Sequence, residues 1–332
     1  MNRTSRRRHF LTHTIPGIAA ACTLPSGAWA QSVADTARII NGYPPGGSVD
    51  VVCRKLAERL TGRIARNVIV ENKSGAAGRL AVEAMKNAAP DGTAMLVTPG
   101  SVVTMYPHVY KNLSYDVFAD LAPVAIVGVS AFALVIGPLV PPTVRTLDEF
   151  LKWCKTNPAG AQCGNAGAGS FPHFMALLLA REAGIEFTHV PYRGGSAAMQ
   201  AVAGGQVSAA LSTESSVVTL AQAGKVRVLA TTGAERTAFL PQAPTFSESG
   251  YPTLAQREWF AAFMPAKTPN SIIDPAADGI AAALREPDVR EVWQKIALSP
   301  ESSTPSELRT ALRKEHDFWG PVIRASGFTP EA

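Results

Sequence analysis

The sequence holds no G-x-x-x-x-G-K-[ST] run, and Gly164, Gly167 and Gly169 do not fit G-x-G-x-x-G. Both common phosphate-cradling loops are therefore excluded. No fixed-period repeat stands out, and no low-complexity segment follows residue 30. His108, His173, His189 and His316 do not pair with cysteines or acids at ligand spacing, so neither a metal nor a cofactor is expected. Charge of one sign is also scarce. The chain has 31 Lys+Arg against 26 Asp+Glu, but Arg3, Arg6, Arg7 and Arg8 sit in the first 30 residues, which hold no acid. Beyond residue 30 the balance is +1, too small a field to suggest nucleic acid. Cysteine is nearly absent there too: Cys53, Cys154 and Cys163 remain. An odd number allows one disulfide and one free thiol in an oxidising compartment. Cys154 and Cys163 are the favoured pair; the alternative is three small buried apolar side chains.

What is present begins with a basic start and an apolar stretch over 10–24, then Ala28-Trp29-Ala30, an A-x-A cleavage signal. That order reads as a secretory signal peptide over 1–30, cleaved after Ala30. His13, Thr14 and Pro16 interrupt the stretch and make it a poor membrane span. Arg7-Arg8 followed by apolar residues reads as a twin-arginine signal, with general secretion as the other route. The expected location is the periplasm.

The remaining residues alternate strand, loop and helix. Arg38-Ile39-Ile40-Asn41 reads as a strand, and Val49, Val52, Cys53, Leu56, Leu60 and Ile64 recur at helical spacing. Val68-Ile69-Val70 and Met95-Leu96-Val97 are further strands, each followed by a glycine loop. Leu134-Val135-Ile136 and 258–264 look like strands that cross between two units. Helices are predicted over 171–183, 270–285, 287–298 and 305–325. This pattern predicts an α/β fold with ligand loops at strand ends. Two units joined by two crossings make a clamshell whose cleft closes on a ligand.

The loops carry the chemistry. Tyr43-Pro44-Pro45-Gly46-Gly47-Ser48-Val49-Asp50 runs from a strand into a helix. The first N–H groups of a helix lack internal partners and carry partial positive charge, so an anion docks there without Arg or Lys. Asn165-Ala166-Gly167-Ala168-Gly169-Ser170 repeats the device. Gly75, Thr98, Ser101, Gly194 and Thr213 lie in other loops of the expected cleft. Asp50 either complements the helix dipole and braces its loop or meets a donor on the solute. Tyr43 covers an apolar part of a ligand or packs at a hinge, and Arg193 is a salt-bridge donor or simply solvated. Ser170 and His173 suggest a nucleophile and a base, but no G-x-S-x-G elbow or orienting acid accompanies them. His173 fits helix packing or loop support better.

Together, 43–50, Val70-Glu71-Asn72-Lys73-Ser74-Gly75-Ala76-Ala77-Gly78, 165–170 with His173, and Val190-Pro191-Tyr192-Arg193-Gly194-Gly195 with Gly204-Gly205-Gln206-Val207 resemble the Bug-type periplasmic solute receptors. These are the binding components of tripartite tricarboxylate transporters. The resemblance spans nearly the whole chain beyond the signal. It implies a type II periplasmic-binding clamshell with 31–134 and 256–332 as one domain and 135–255 as the other. It implies capture of a small carboxylate (an organic, amino or aromatic acid) between Pro45, Gly46, Gly47, Ser48 and the loop 165–170, through backbone groups and ordered waters. It also implies delivery to membrane permease subunits by a monomeric, non-enzymatic protein. Ser212-Thr213-Glu214-Ser215 stands where the family often shows an Asp-containing segment, which leaves the solute open. The alternatives are a ligand-sensing co-receptor of a two-component system and an exported hydrolase.

Overall fold

The computed structural model describes residues 34–329. The expected export signal and its cleavage site lie outside the described residues. The chain opens with β1 (Ala34–Asn41), α1 (Ser48–Leu60), β2 (Ala65–Asn72), α2 (Arg79–Lys86) and β3 (Ala94–Pro99). Short helices α3 (Gly100–Thr104), α4 (Tyr106–Val109) and α5 (Val117–Asp120) lead to β4 (Leu121–Ser130). A second unit follows: β5 (Phe132–Ile136), α6 (Leu147–Thr156), β6 (Gln162–Asn165), α7 (Phe171–Ala183), β7 (Thr188–Pro191), α8 (Gly195–Ala203), β8 (Ala209–Thr213), α9 (Glu214–Gln222) and β9 (Arg227–Thr231). The chain then returns through β10 (Glu258–Pro265) and ends in α10 (Asn270–Ala283), α11 (Pro287–Lys295) and α12 (Pro305–Ala325).

Two mixed sheets result, in the orders β2-β1-β3-β10-β4 and β7-β6-β8-β5-β9. In each, four strands run one way and a single strand, β10 or β5, runs against them. The antiparallel strand beside each parallel trio, β10 or β5, is the one that arrives from the other sheet. Helices cover the sheets because parallel strands need crossovers that pack back on their faces. Helix α1 shows why the periodic residues matter: Val49, Val52, Cys53, Leu56 and Leu60 are all buried. A fully buried Val or Leu contributes roughly 1.5–3 kcal/mol.

The first crossing is shorter and earlier than the expected 134–136. Ser130 ends one sheet and Phe132 begins the next, so Ala131 alone joins them. Strand β4 has no counterpart among the predicted elements. It contains Pro123, which cannot donate to a ladder, and it survives because β4 is an edge strand. The favoured Cys154–Cys163 disulfide is not formed. Both are free, buried thiols, as is Cys53, and burial pushes Cys154 and Cys163 up to about 12. They serve as small apolar groups of the core.

A seam of aromatic rings connects the two halves. Trp319 of α12 meets Phe171 of α7 edge-on at 5.6 Å, and Phe171 lies 4.8 Å from Phe132 of β5. Helix α12 begins with a full capping box, Thr304 and Glu307 exchanging hydrogen bonds with each other's backbone.

Candidate functional site

The strand register gathers the loops. Pro99, the last residue of β3, pairs with Phe260 near the start of β10, whose Glu258 pairs with Ser130. In the other sheet Thr213, the last residue of β8, pairs with Phe132 at the start of β5. The carboxyl ends of the parallel strands in both sheets therefore lie at the end where the chain crosses. In open α/β sheets ligands bind beyond such ends. The loops 42–47, 73–78 and Gly100-Ser101 come from the first sheet; 166–170, 192–194 and the start of α9 come from the second.

The first loop is built around Asp50. This side chain is 3% exposed, and both oxygens are occupied. One accepts from Gly46 N–H at 2.9 Å and Arg54 Nε at 2.8 Å, the other from Asn72 Nδ2 at 2.8 Å. The Arg54, Gly46 and Asn72 donors outweigh the cost of burial and hold the carboxyl down at about 2. Asn72 Nδ2 also donates to the Tyr43 carbonyl at 3.0 Å, and Asn41 Oδ1 accepts from Tyr43 N–H at 3.0 Å. Asp50 thus braces the loop rather than offering a free carboxylate to a solute. Gly46 N–H is spent on that brace, and Pro45 has none. Among the described residues, none accepts from the N–H groups of Gly47, Ser48 and Val49, at the start of α1. Pro45, Gly46, Gly47 and Ser48 are all exposed.

Gly42 presses against the second glycine loop. A Cβ there would sit 2.7 Å from the Gly78 Cα. Gly78 has φ +92°, open to glycine but strained for other residues, and the Tyr43 ring covers it. Gly75, also left-handed, stays exposed at the loop's edge. Thr98 is buried at the end of β3. The Ser101 hydroxyl donates to the Glu258 carboxylate, and burial holds Glu258 up at about 7 despite that bond. Glu315 of α12, which accepts from Trp259 Nε1 at 2.6 Å, is raised further, to about 8, by burial and by the neighbouring Glu258.

The second loop is held from beneath. Asn165 is fully buried, and its Oδ1 accepts from Gly167 N–H at 3.2 Å. Gly169 N–H donates to His173 Nδ1 at 3.0 Å, so neither amide is free for an anion. Ala166 N–H and Ala168 N–H have no partner among the described residues. The Ser170 hydroxyl donates to the Gly167 carbonyl at 2.6 Å and makes no bond with His173. His173 is buried as a loop support and is not paired as a general base. Gly194 N–H is bonded to Tyr192 O at 2.9 Å, and Arg193 is exposed, with no ion pair among the described residues. The Thr213 hydroxyl meets Ser215 at 2.9 Å and Ser216 at 3.2 Å.

Residues of this construction that were not among the expected site include Arg54, one helical turn beyond Asp50, with Asn41, Asn72 and Glu258. Asn72 was visible in the motif 70–78 but only as flank to the glycines. Asn41 and Glu258 become neighbours of the loops only through sheet pairing. A cavity of about 700 Å³ lies elsewhere, between Gly137, Arg145, Lys225 and Arg227 at the far end of the second sheet. Arg227 there is already bonded to the carbonyls of Gly137, Val140, Pro141 and Val144.

Comparisons with known proteins agree with this geometry. The family model for the tripartite tricarboxylate transporter family receptor matches residues 52–328. Protein BugT of Bordetella pertussis is 30% identical over 87% of this chain and 89% of its own. The solved structure of the periplasmic binding protein BugD superposes with a TM-score of 0.75 at 25% identity, covering 90% of this chain and 99% of that one. MatC from Rhodopseudomonas palustris, solved with bound malate, has a TM-score of 0.73 at 26% identity and covers 87% and 99%. With the fold, the paired strand-end loops and a match over most of its length, the chain belongs to the tripartite tricarboxylate transporter receptor family.

Proposed function

We propose that this protein captures a small carboxylate in the periplasm and presents it to a membrane permease. The observation that carries the reading is the start of α1. Gly47, Ser48 and Val49 offer N–H groups that no acceptor among the described residues uses, and Asp50, Asn72 and Asn41 fix the loop that aims them. A helix N-terminus with free donors suits an anion. Ala166 and Ala168 offer the facing donors from the second lobe. The malate bound by MatC supports the same solute class here. The lobes meet at the Ala131 joint rather than at the expected 134/135, because β5 begins at Phe132, and solute closes one on the other as a monomer. Export with cleavage after Ala30 would place it in the periplasm. Tyr43, Ser101 and Thr213 are the side chains assigned to reading the rest of the solute, with Arg193 and Gly75 at the rim, while Thr98 supports them from the buried end of β3.

The test is calorimetric titration with malate, adipate and a panel of amino and aromatic acids, beside neutral sugars. A carboxylate should bind, and Gly47→Val should weaken it at least about tenfold, or 1.4 kcal/mol. Gly47 has φ −75°, and a Cβ there meets only the Pro44 carbonyl at 3.6 Å. The variant should therefore melt like the wild type. Binding of sugars alone, or undiminished carboxylate affinity in the variant, would overturn the reading.

A further inference from the structure

His173 and His189 stack face to face, with ring centroids 3.7 Å apart and planes inclined by 24°. Each ring accepts a hydrogen bond at Nδ1. His173 Nδ1 takes the Gly169 N–H at 3.0 Å. Asn165 Oδ1 is engaged by Gly167 N–H, so its amide nitrogen is the group that donates to His189 Nδ1, at 2.5 Å. Nδ1 can accept only without a proton, so the single proton of each neutral ring sits on Nε2. A second proton has only Nδ1 to go to. There it would replace an acceptor by a donor, facing another donor, in both rings at once.

The surroundings give a cation no help. Asn165 and Cys163 face the pair from β6, and Phe174 packs on it from α7. Phe328, beyond α12, meets His173 edge-on at 5.2 Å. Cys163 is a neutral thiol. Among the described residues no Asp, Glu, Lys or Arg forms an ion pair or hydrogen bond with either ring. His189 Nε2 is buried with no acceptor. Arg193, after β7, is exposed and has no ion-pair partner among the described residues.

We propose that His173 and His189 are positioning residues that hold the second glycine loop in its binding shape only while both rings are neutral, so that acid loosens the loop and weakens solute capture. Two N–H groups of the loop, Gly167 and Gly169, are tied directly into this imidazole–amide chain. Those bonds set the direction of the remaining free amides, Ala166 and Ala168. Burial and the neighbouring His189 hold His173 down at about 4, and burial lowers His189 as well. The loop therefore stays latched through neutral and mildly acidic conditions and opens below them. The consequence for capture rests on the carboxylate reading above; the latch itself does not.

Amide hydrogen exchange by NMR on the ligand-free protein tests the latch without any solute. Protection of Gly167 and Gly169, relative to core amides such as Val135, should be flat from pH 8 to pH 6 and fall at least about tenfold by pH 4. His173→Asn places a non-titrating Oδ1 near the position of Nδ1, and it should remove the fall at Gly169, the amide bonded to that ring. Selective protection that is unchanged while the His173 ring titrates, or a fall at Gly169 that persists in His173→Asn, would overturn the proposal. Titration with malate and adipate follows at the same pH values. The wild-type affinity should drop by about fivefold or more relative to His173→Asn between pH 6.5 and pH 4. Should neither acid bind at any pH, the carboxylate reading fails and the exchange data still decide the latch.

Discussion

Asp50 illustrates how a residue can stand inside a binding loop without touching what is bound. Its carboxylate ties together Gly46, Arg54 and Asn72, three points that would otherwise move separately. Its folded pKa lies below the unfolded one, near 2 against about 3.8. The stabilisation is present above the unfolded value and is lost as pH falls through the folded one. That difference corresponds to on the order of 2 kcal/mol. Asp50→Asn should lower the melting temperature at pH 7, with a gap from wild type that narrows toward pH 2, and should weaken carboxylate binding through loop disorder. Equal melting temperatures at pH 7 would show that the brace contributes nothing. The charge pattern of the sequence left two roles open for Asp50, because its place in the first helical turn suits both. Asn72, 22 residues away, decides between them, and only the β1–β2 pairing brings it there.

At the scale of elements, the strongly periodic segments were legible and the irregular ones were not. Helices α7 and α12 begin and end where the sequence placed them, at 171–183 and 305–325. The glycine loops were legible as loops, but which of their amides stay free was not. That depends on Asp50, Asn165 and His173 reaching back to consume some of them. Helix α12 carries a separate expectation. Its Trp319 is fully buried and joins the aromatic seam through Phe171 to Phe132. Trp319→Ala should cost about 3–5 kcal/mol in denaturant unfolding, the usual range for a large buried ring. A loss under 1 kcal/mol would mean that the two halves do not depend on this seam.

Across the whole molecule, the crossing region concentrates acids without counter-ions. Among the described residues Glu214, Glu258 and Glu315 form no ion pair with Lys or Arg. Burial raises all three, to about 7, 7 and 8, with Glu258 adding to the shift of Glu315. A carboxyl whose folded pKa exceeds its unfolded value of about 4.5 keeps its proton in the native state after the unfolded chain has lost it. Stability is then full below that unfolded value and falls as pH rises through 7–8. The lowered histidines act with the opposite sign, costing stability as pH falls below their unfolded 6.5. Thermal melts should therefore show a maximum in mildly acidic buffer. Glu315→Gln should raise the melting temperature at pH 8 and leave it unchanged at pH 4.5. A gain of equal size at both values would place the cause outside ionisation.

The single-residue joint at Ala131 also fixes an order of events. Strand β10 lies between β3 and β4, so the first sheet has a gap in its middle until residue 265 has emerged. All five strands of the second sheet lie within 132–231, an unbroken run of chain. The inserted half has its complete set of strands first and can form from comparatively local contacts, whereas the half that begins the chain must wait for long-range pairing. Until then β4 has no strand partner, although its ten residues are almost entirely apolar. The half of the protein made first is thus the half finished last, and the interval between them is when the chain is most open to aggregation.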